Sequence, residues 1–246
     1  MSLFPAQMGD DRCLDESLHG VIVERRQFLR VSLGTLAALT VNFWQPASAR
    51  QASNAQTALS WDDLVDRAIP AAERLIESLS PDEEAYLVHL SRLIERRRTD
   101  PKAYFNLAQP VAMHESLRHL PLVVLQFRLA PGAAIPYHDH RDYNGVLTVI
   151  EGAVRSRSFE ILGSDPRPPR GPTFQIRETE NVMLTKGAQS TLSRTRDNIH
   201  DLRAGPEGAR FIDFFTFFHR GAHSIYLNVA EQPSDSAKRI FDASWA

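Results

Sequence analysis

Cysteine is almost missing from this chain. One occurs in 246 residues, Cys13, ahead of a pair of arginines. Disulfides, thiolate metal ligands and cysteine nucleophiles are therefore excluded from any mature form that begins after that region. Charge of one sign is also missing. Twenty-eight Lys and Arg stand against 30 Asp and Glu, a net charge of -2, so there is no electrostatic case for nucleic acid. Zinc-finger spacing, a phosphate-binding glycine loop and internal repeats are absent too. Any metal must be held by His and carboxylates.

The N-terminal region has the order of an export signal. Glu24-Arg25-Arg26-Gln27-Phe28-Leu29-Arg30 resembles a twin-arginine motif. The apolar run Val31–Trp44 behind it is too short to span a bilayer comfortably. Pro46-Ala47-Ser48-Ala49 then offers an A-x-A cleavage site. The expectation is export by the twin-arginine machinery, cleavage near Ala49, and a periplasmic protein with no stable membrane anchor. That route generally carries folded proteins, so a metal could be loaded before export.

Four segments follow. Residues 1–49 form the signal and 50–108 a linker with a helical segment. Residues 109–231 form a β domain, and 232–246 a tail with a short closing segment. Ser60 with Asp63 gives a capping box for a helix to about Ser78, with Pro70 a kink point. Ser80-Pro81-Asp82-Glu83 marks a second start, its helix running to about Arg98. From Leu122 the pattern becomes β: short runs at 122–129, 134–140, 145–151, 153–162, 182–186, 189–194, 198–204, 209–218 and 223–229. Gly, Pro and Asp separate them, as in an all-β sandwich or barrel. Residues 163–173, rich in Pro and Gly, read as a loop.

The chemistry concentrates in Gly132-Ala-Ala-Ile-Pro-Tyr-His138-Asp139-His140, followed by Gly145 and Gly152. Residues i and i+2 of a strand share a face, so both imidazoles can reach one point. Imidazole ligates Fe, Zn, Cu and Ni, which makes this a candidate transition-metal site. His200, His219 and His223 are the later histidines, and the last two are expected at the mouth or surface. His114 and His119 are expected to be structural. Asp213 lies in an apolar strand, where a buried carboxylate needs a partner. Phe214–Phe218 is expected to serve as core on one face and pocket wall on the other.

This spacing resembles the first cupin motif, with Gly145 where many cupins carry a Glu ligand. A three-histidine set without Glu resembles the thiol dioxygenases. The nearest likeness is to the cysteamine dioxygenase and plant cysteine oxidase group, through Ile135-Pro136-Tyr137-His138-Asp139-His140, Asn198-Ile199-His200, Phe211-Ile212-Asp213 and Arg220–Tyr226. The resemblance covers roughly residues 104–230. It implies an all-β, cupin-type double-stranded β-helix (jelly-roll) barrel with N-terminal helices. It also implies Fe(II) held by His138, His140 and His200, with positions left for a thiolate and for O2, and a sulfinate as product. Asp213 and Tyr226 are the residues that would orient substrate or oxygen. The same H-D-H resembles cysteine dioxygenase and 3-mercaptopropionate dioxygenase, which bind a carboxylate and also need a placed Arg, for which Arg128, Arg141, Arg155 and Arg157 are candidates. Other readings stay open: another metal-dependent cupin enzyme, or a non-catalytic periplasmic cupin that binds a ligand.

Overall fold

A computed structural model describes residues 58–163 and 173–246. The export segment, Cys13, most of the linker and most of the 163–173 loop lie outside the described residues. Two helices precede nine strands: α1 (Trp61–Glu77), α2 (Glu83–Glu95), β1 (Val111–His119), β2 (Leu122–Leu129), β3 (Ala134–Asp139), β4 (Tyr143–Ile161), β5 (Phe174–Thr185), β6 (Gln189–Leu192), β7 (Ile199–Phe217), β8 (Leu227–Val229) and β9 (Ile240–Trp245). No described helix is long and apolar enough to cross a membrane.

The capping box at the start of α1 is formed. Ser60 Oγ accepts the Asp63 N–H at 3.1 Å, and Asp63 accepts the Ser60 N–H. Pro70 lies inside α1, which continues through it to Glu77. The second helix starts two residues later than its Ser-Pro signal. Asp82, not Ser80, caps it by accepting the Ala85 N–H at 2.9 Å. Glu83 and Glu84 then occupy the first turn, where the helix dipole favours negative charge.

Two long antiparallel strands organise the rest. β4 pairs with β7 from Tyr143↔Phe217 to Phe159↔Ile199, with irregularities on either side of Gly152. The expected runs 145–151 and 153–162 are thus one bent strand, and so are 198–204 and 209–218. The bend needs glycine. Gly152 has φ +68, and a Cβ there would stand 2.1 Å from the Gly208 carbonyl oxygen. Beyond the bend each long strand changes neighbours. Residues 143–150 of β4 lie between β7 and β6, and 153–161 between β7 and β5. β7 pairs with β3 through its first part and with β2 through its second. The result is one curled antiparallel sheet of nine strands, a jelly-roll barrel.

Three differences from the sequence reading have physical causes. β1 was missed because its Met113-His-Glu-Ser-Leu-Arg118 stretch is mostly polar and half exposed, as suits an edge strand paired on β2. β5 begins at Phe174 rather than 182, because its alternating Phe174, Ile176 and Glu178 are buried between exposed partners. The expected tail carries β9, which pairs with both β5 and β8, so residues 240–245 belong to the barrel. Residues just before β8 then reach β3 through a His138↔Tyr226 bridge, so that β3, β7, β4, β5, β9 and β8 come round on themselves.

β2 is apolar on both faces because both are covered. Leu122 and Val124 join Val146, Ile212 and Phe214 under the helices; Val123, Leu125 and Phe127 face Leu147, Phe211 and Phe215 in the barrel. The same alternation sorts the aromatic run of β7. Phe214 packs on Trp61 of α1, with ring centroids 6.0 Å apart, and Thr216 meets the Tyr86 hydroxyl at 2.5 Å; Phe215 and Phe217 point inward around Tyr143. Truncating Phe214 to Ala would leave a cavity under both helices. Phe214→Ala is expected to cost about 3–5 kcal/mol in denaturant unfolding, while Phe218→Ala, only partly buried, costs clearly less.

Candidate metal centre

The pairing of β3 with β7 and its continuation just past the strand ends place the three histidines. His138 pairs directly with His200, and the His140 N–H donates to the Asn198 carbonyl at 2.7 Å. His140 lies one residue beyond the end of β3, two residues on from His138. Ile199, one residue from His200, faces the opposite way into a cluster with Phe159, Ile176 and Trp245. Each imidazole is buried, at 7%, 0% and 3% exposure for His138, His140 and His200. His200 Nε2 lies 3.1 Å from His140 Nε2 and 3.1 Å from His138 Nε2. The three nitrogens all fall within 4.8 Å of one another.

These three nitrogens suit a cation better than one another. His138 Nδ1 donates to the Pro136 carbonyl at 2.8 Å, which leaves a lone pair on its Nε2. If His200 Nε2 carries a proton, it can donate to His138 or to His140, not to both. His140 Nδ1 is buried without a hydrogen-bond partner among the described residues. A metal ion accepts all three lone pairs at once. Imidazole nitrogens bound at about 2.1 Å stand about 3.0 Å apart at right angles and about 3.4 Å apart in a tetrahedron. The observed 3.1 Å separations are of the size that two ligands of one metal ion take. Protonation does not compete at neutral pH. Burial holds His138 down at about 4, and burial with mutual repulsion holds His140 and His200 well below the usual histidine range.

Gly145 explains the absence of a fourth protein ligand. A Cβ at that position would meet Phe215 Cδ1 at 3.1 Å and Asp213 Oδ1 at 3.3 Å. The space a longer side chain would need is filled from β7. Asp213 pairs in register with Leu147 and Leu125 and is 3% exposed. No hydrogen bond or ion pair reaches it among the described residues. Burial alone pushes its carboxyl up to about 8. Tyr143 stands beside it electrostatically, with its ring 4.4 Å from the His140 ring and its hydroxyl bonded to Ser224 Oγ. Tyr226 is half-buried, its ring centroid 5.9 Å from that of His138.

The other candidates lie elsewhere. His219 is exposed and pairs with Asp142 at 3.2 Å, and exposed His223 bonds the Gly221 carbonyl. His114 and His119 are on β1. Of the four arginines, Arg141 pairs with Asp139 and lies over Trp245; Arg155 bonds Asn181; Arg157 bonds Glu178 and Tyr137. Arg128 lines a surface cleft with Glu151, Gly208 and Arg210. Sequence reading takes Tyr143, which flanks the ligands, as simple packing, and gives Asp139 no role of its own. It also missed the ties that steady the loop before His200. Glu83 of α2 holds Arg194 at 2.7 Å, Glu84 holds Arg196 at 3.0 Å, and Asn198 donates to the Arg194 carbonyl. The signal was the pair of acids in a helix start.

No family model matches the chain. Over 106 residues it is 36% identical to human 2-aminoethanethiol dioxygenase, a stretch covering 35% of this chain and 39% of that protein. Solved structures similar to it include KdgF from Halomonas sp. (16% identity, 48% of this chain and 87% of that one, TM-score 0.33). An RmlC-like cupin from Shewanella frigidimarina is another (17% identity, 49% and 87%, TM-score 0.34). The chain is similar to a thiol dioxygenase over the part that matches, which is less than half the length of that relative.

The Asp213 shift sets a pH dependence. Its folded pKa is raised above the unfolded value, so its contribution is fully present below about pH 3.8 and is lost as pH rises towards 8. Chelator-treated protein should therefore lose stability between pH 6.5 and 8, at most about 1.4 kcal/mol per pH unit. Asp213→Asn should flatten that slope in thermal melts.

Proposed function

We propose that this protein is a non-haem Fe(II) thiol dioxygenase, oxidising a small thiol with O2 to a sulfinate (RSH + O2 → RSO2H). The observation that carries the reading is the convergence of three neutral, buried imidazole nitrogens with Gly145 where a carboxylate ligand would stand. A donor set with no negative charge accepts an anionic thiolate without a second anion to repel it. The similarity to 2-aminoethanethiol dioxygenase, over part of each chain, supports the same chemistry.

His138, His140 and His200 would hold the iron. When bound, it would supply the redox chemistry that couples a thiol to O2. The chain's own residues do the rest. The Pro136 carbonyl fixes the His138 tautomer, which keeps Nε2 turned to the site. Phe215, Phe217 and Tyr143 line the interior with aromatic surface that excludes water. Asp213 and Tyr226 orient the substrate. A substrate ammonium close to Asp213 would draw that carboxyl into its charged form, and the pair would be charge-assisted. This favours a thiol bearing an amine and no carboxylate.

We further propose that the chain is exported through the twin-arginine pathway, is cleaved near Ala49, and works in the periplasm. Processed protein with Ala49 as the last residue removed, found in a periplasmic extract, is the expected result.

Purified protein should carry near-stoichiometric iron and consume O2 with 2-aminoethanethiol. His200→Ala should lose the iron and the O2 uptake together. Unchanged iron in that variant would sink the three-histidine reading. Iron without thiol turnover in the wild type would point to another metal-dependent cupin enzyme, and no metal to a ligand-binding cupin.

A further inference from the structure

Three consecutive residues before β8 are each held by a residue of the histidine neighbourhood. Ser224 Oγ bonds the Tyr143 hydroxyl. Ile225 is held twice: its N–H donates to Asp139 Oδ1 at 2.9 Å, and its carbonyl accepts the Asp139 N–H at 3.0 Å. Tyr226 bridges His138 in antiparallel fashion. The far side of Asp139 is occupied as well, because its Oδ2 takes the Arg141 guanidinium, which lies 4.7 Å from the Trp245 ring of β9. β9 in turn pairs Trp245 with Leu227, the first residue of β8.

The segment is extended, so alternate side chains face opposite ways. Ile225 packs with the cluster around Phe159, Ile199 and Trp245. Ser224 and Tyr226 face the other side, towards Tyr143 and His138. The Ser224 hydroxyl is thereby bonded to Tyr143, and the Tyr226 ring lies beside His138. Asp139 is fully buried and sits between two ligands, yet its carboxylate is turned to the Ile225 backbone and to Arg141 rather than to the other histidines.

We propose that Asp139 and Tyr143 are positioning residues that clamp Ser224–Tyr226 as a fixed polar wall of the metal site. On this proposal, which rests on the thiol dioxygenase reading only for the identity of the substrate, Ser224 and Tyr226 set the shape and polarity that a bound thiol meets. The ligands hold the metal without the clamp. The clamp determines what lies beside it.

The test uses the full chain loaded with Co(II), with hydrogen exchange of peptides covering residues 219–229 as the first readout. Tyr143→Phe and Ser224→Ala each delete one buried hydrogen bond. Each should speed exchange there by about three- to tenfold, and the double variant should do no more than either single one. Asp139→Ala, which frees the Ile225 N–H and the Arg141 guanidinium, should speed it by at least about tenfold. Co(II) affinity should stay within about threefold in all of them, while the affinity of the cobalt protein for 2-aminoethanethiol falls. Unchanged exchange at 219–229 in both Tyr143→Phe and Ser224→Ala overturns the clamp, whether or not Asp139→Ala folds. Faster exchange with unaltered thiol affinity overturns the wall's role in binding. If the wild type takes up no Co(II), the metal reading falls, and the exchange result decides the clamp alone.

Discussion

The pairing of β4 with β7 is the constraint on which the rest depends. Both strands bend at close-set glycines, and each serves two sets of neighbours along its length. The bend allows one end of β7 to meet β3 in the register His138↔His200 while the other end carries Asp213 and Phe215 against Gly145. The two ligand-bearing strands are hydrogen-bonded neighbours. The relative placement of the imidazoles therefore follows from backbone register, which a one-residue slip would destroy by turning His200 to the opposite face. A rigid origin of this kind suits a site that must be preformed.

Much of the barrel was legible in the sequence as short apolar runs set off by Gly, Pro and Asp. The runs at 122–129 and 134–140 and the apolar stretch of β7 are of this kind. The aromatic run Phe214–Phe218 divides as alternation requires, with Phe214 under α1 and Phe215 against Tyr143. What escaped was decided by partners outside the local window. Met113-His-Glu-Ser reads as loop until β2 offers it an edge. Residues 240–245 read as tail until β5 and β8 accept them. Gly152 and Gly208 look like turn residues, but they serve as bends inside continuous strands.

The site was legible to the extent that ligand chemistry is local. His138 and His140 announce themselves by i, i+2 spacing, and His200 by the segment around it. The supporting residues do not. Tyr143 and Asp139 are ordinary neighbours of histidines in sequence, and their importance lies in Ser224 and Ile225, more than 80 residues away. Glu83 and Glu84 look like a solvated helix start, yet they anchor the loop that leads into His200. Gly145 had meaning only as a missing Glu until Phe215 and Asp213 were seen to occupy its space.

The closure of the strands through Tyr226 and β9 has a consequence for assembly. The histidines come from residues 138 to 200, the segment beside them from 224–226, and its backing from Trp245. Contacts this far apart in sequence form late, because loop closure must precede them. The centre is thus completed only when almost the whole described chain is in place, and no half-barrel retains it. The free energy of metal binding is then added to the cooperative stability of the entire domain rather than to one hairpin. The ion would act as a keystone, and its loss would be felt as far away as the helices.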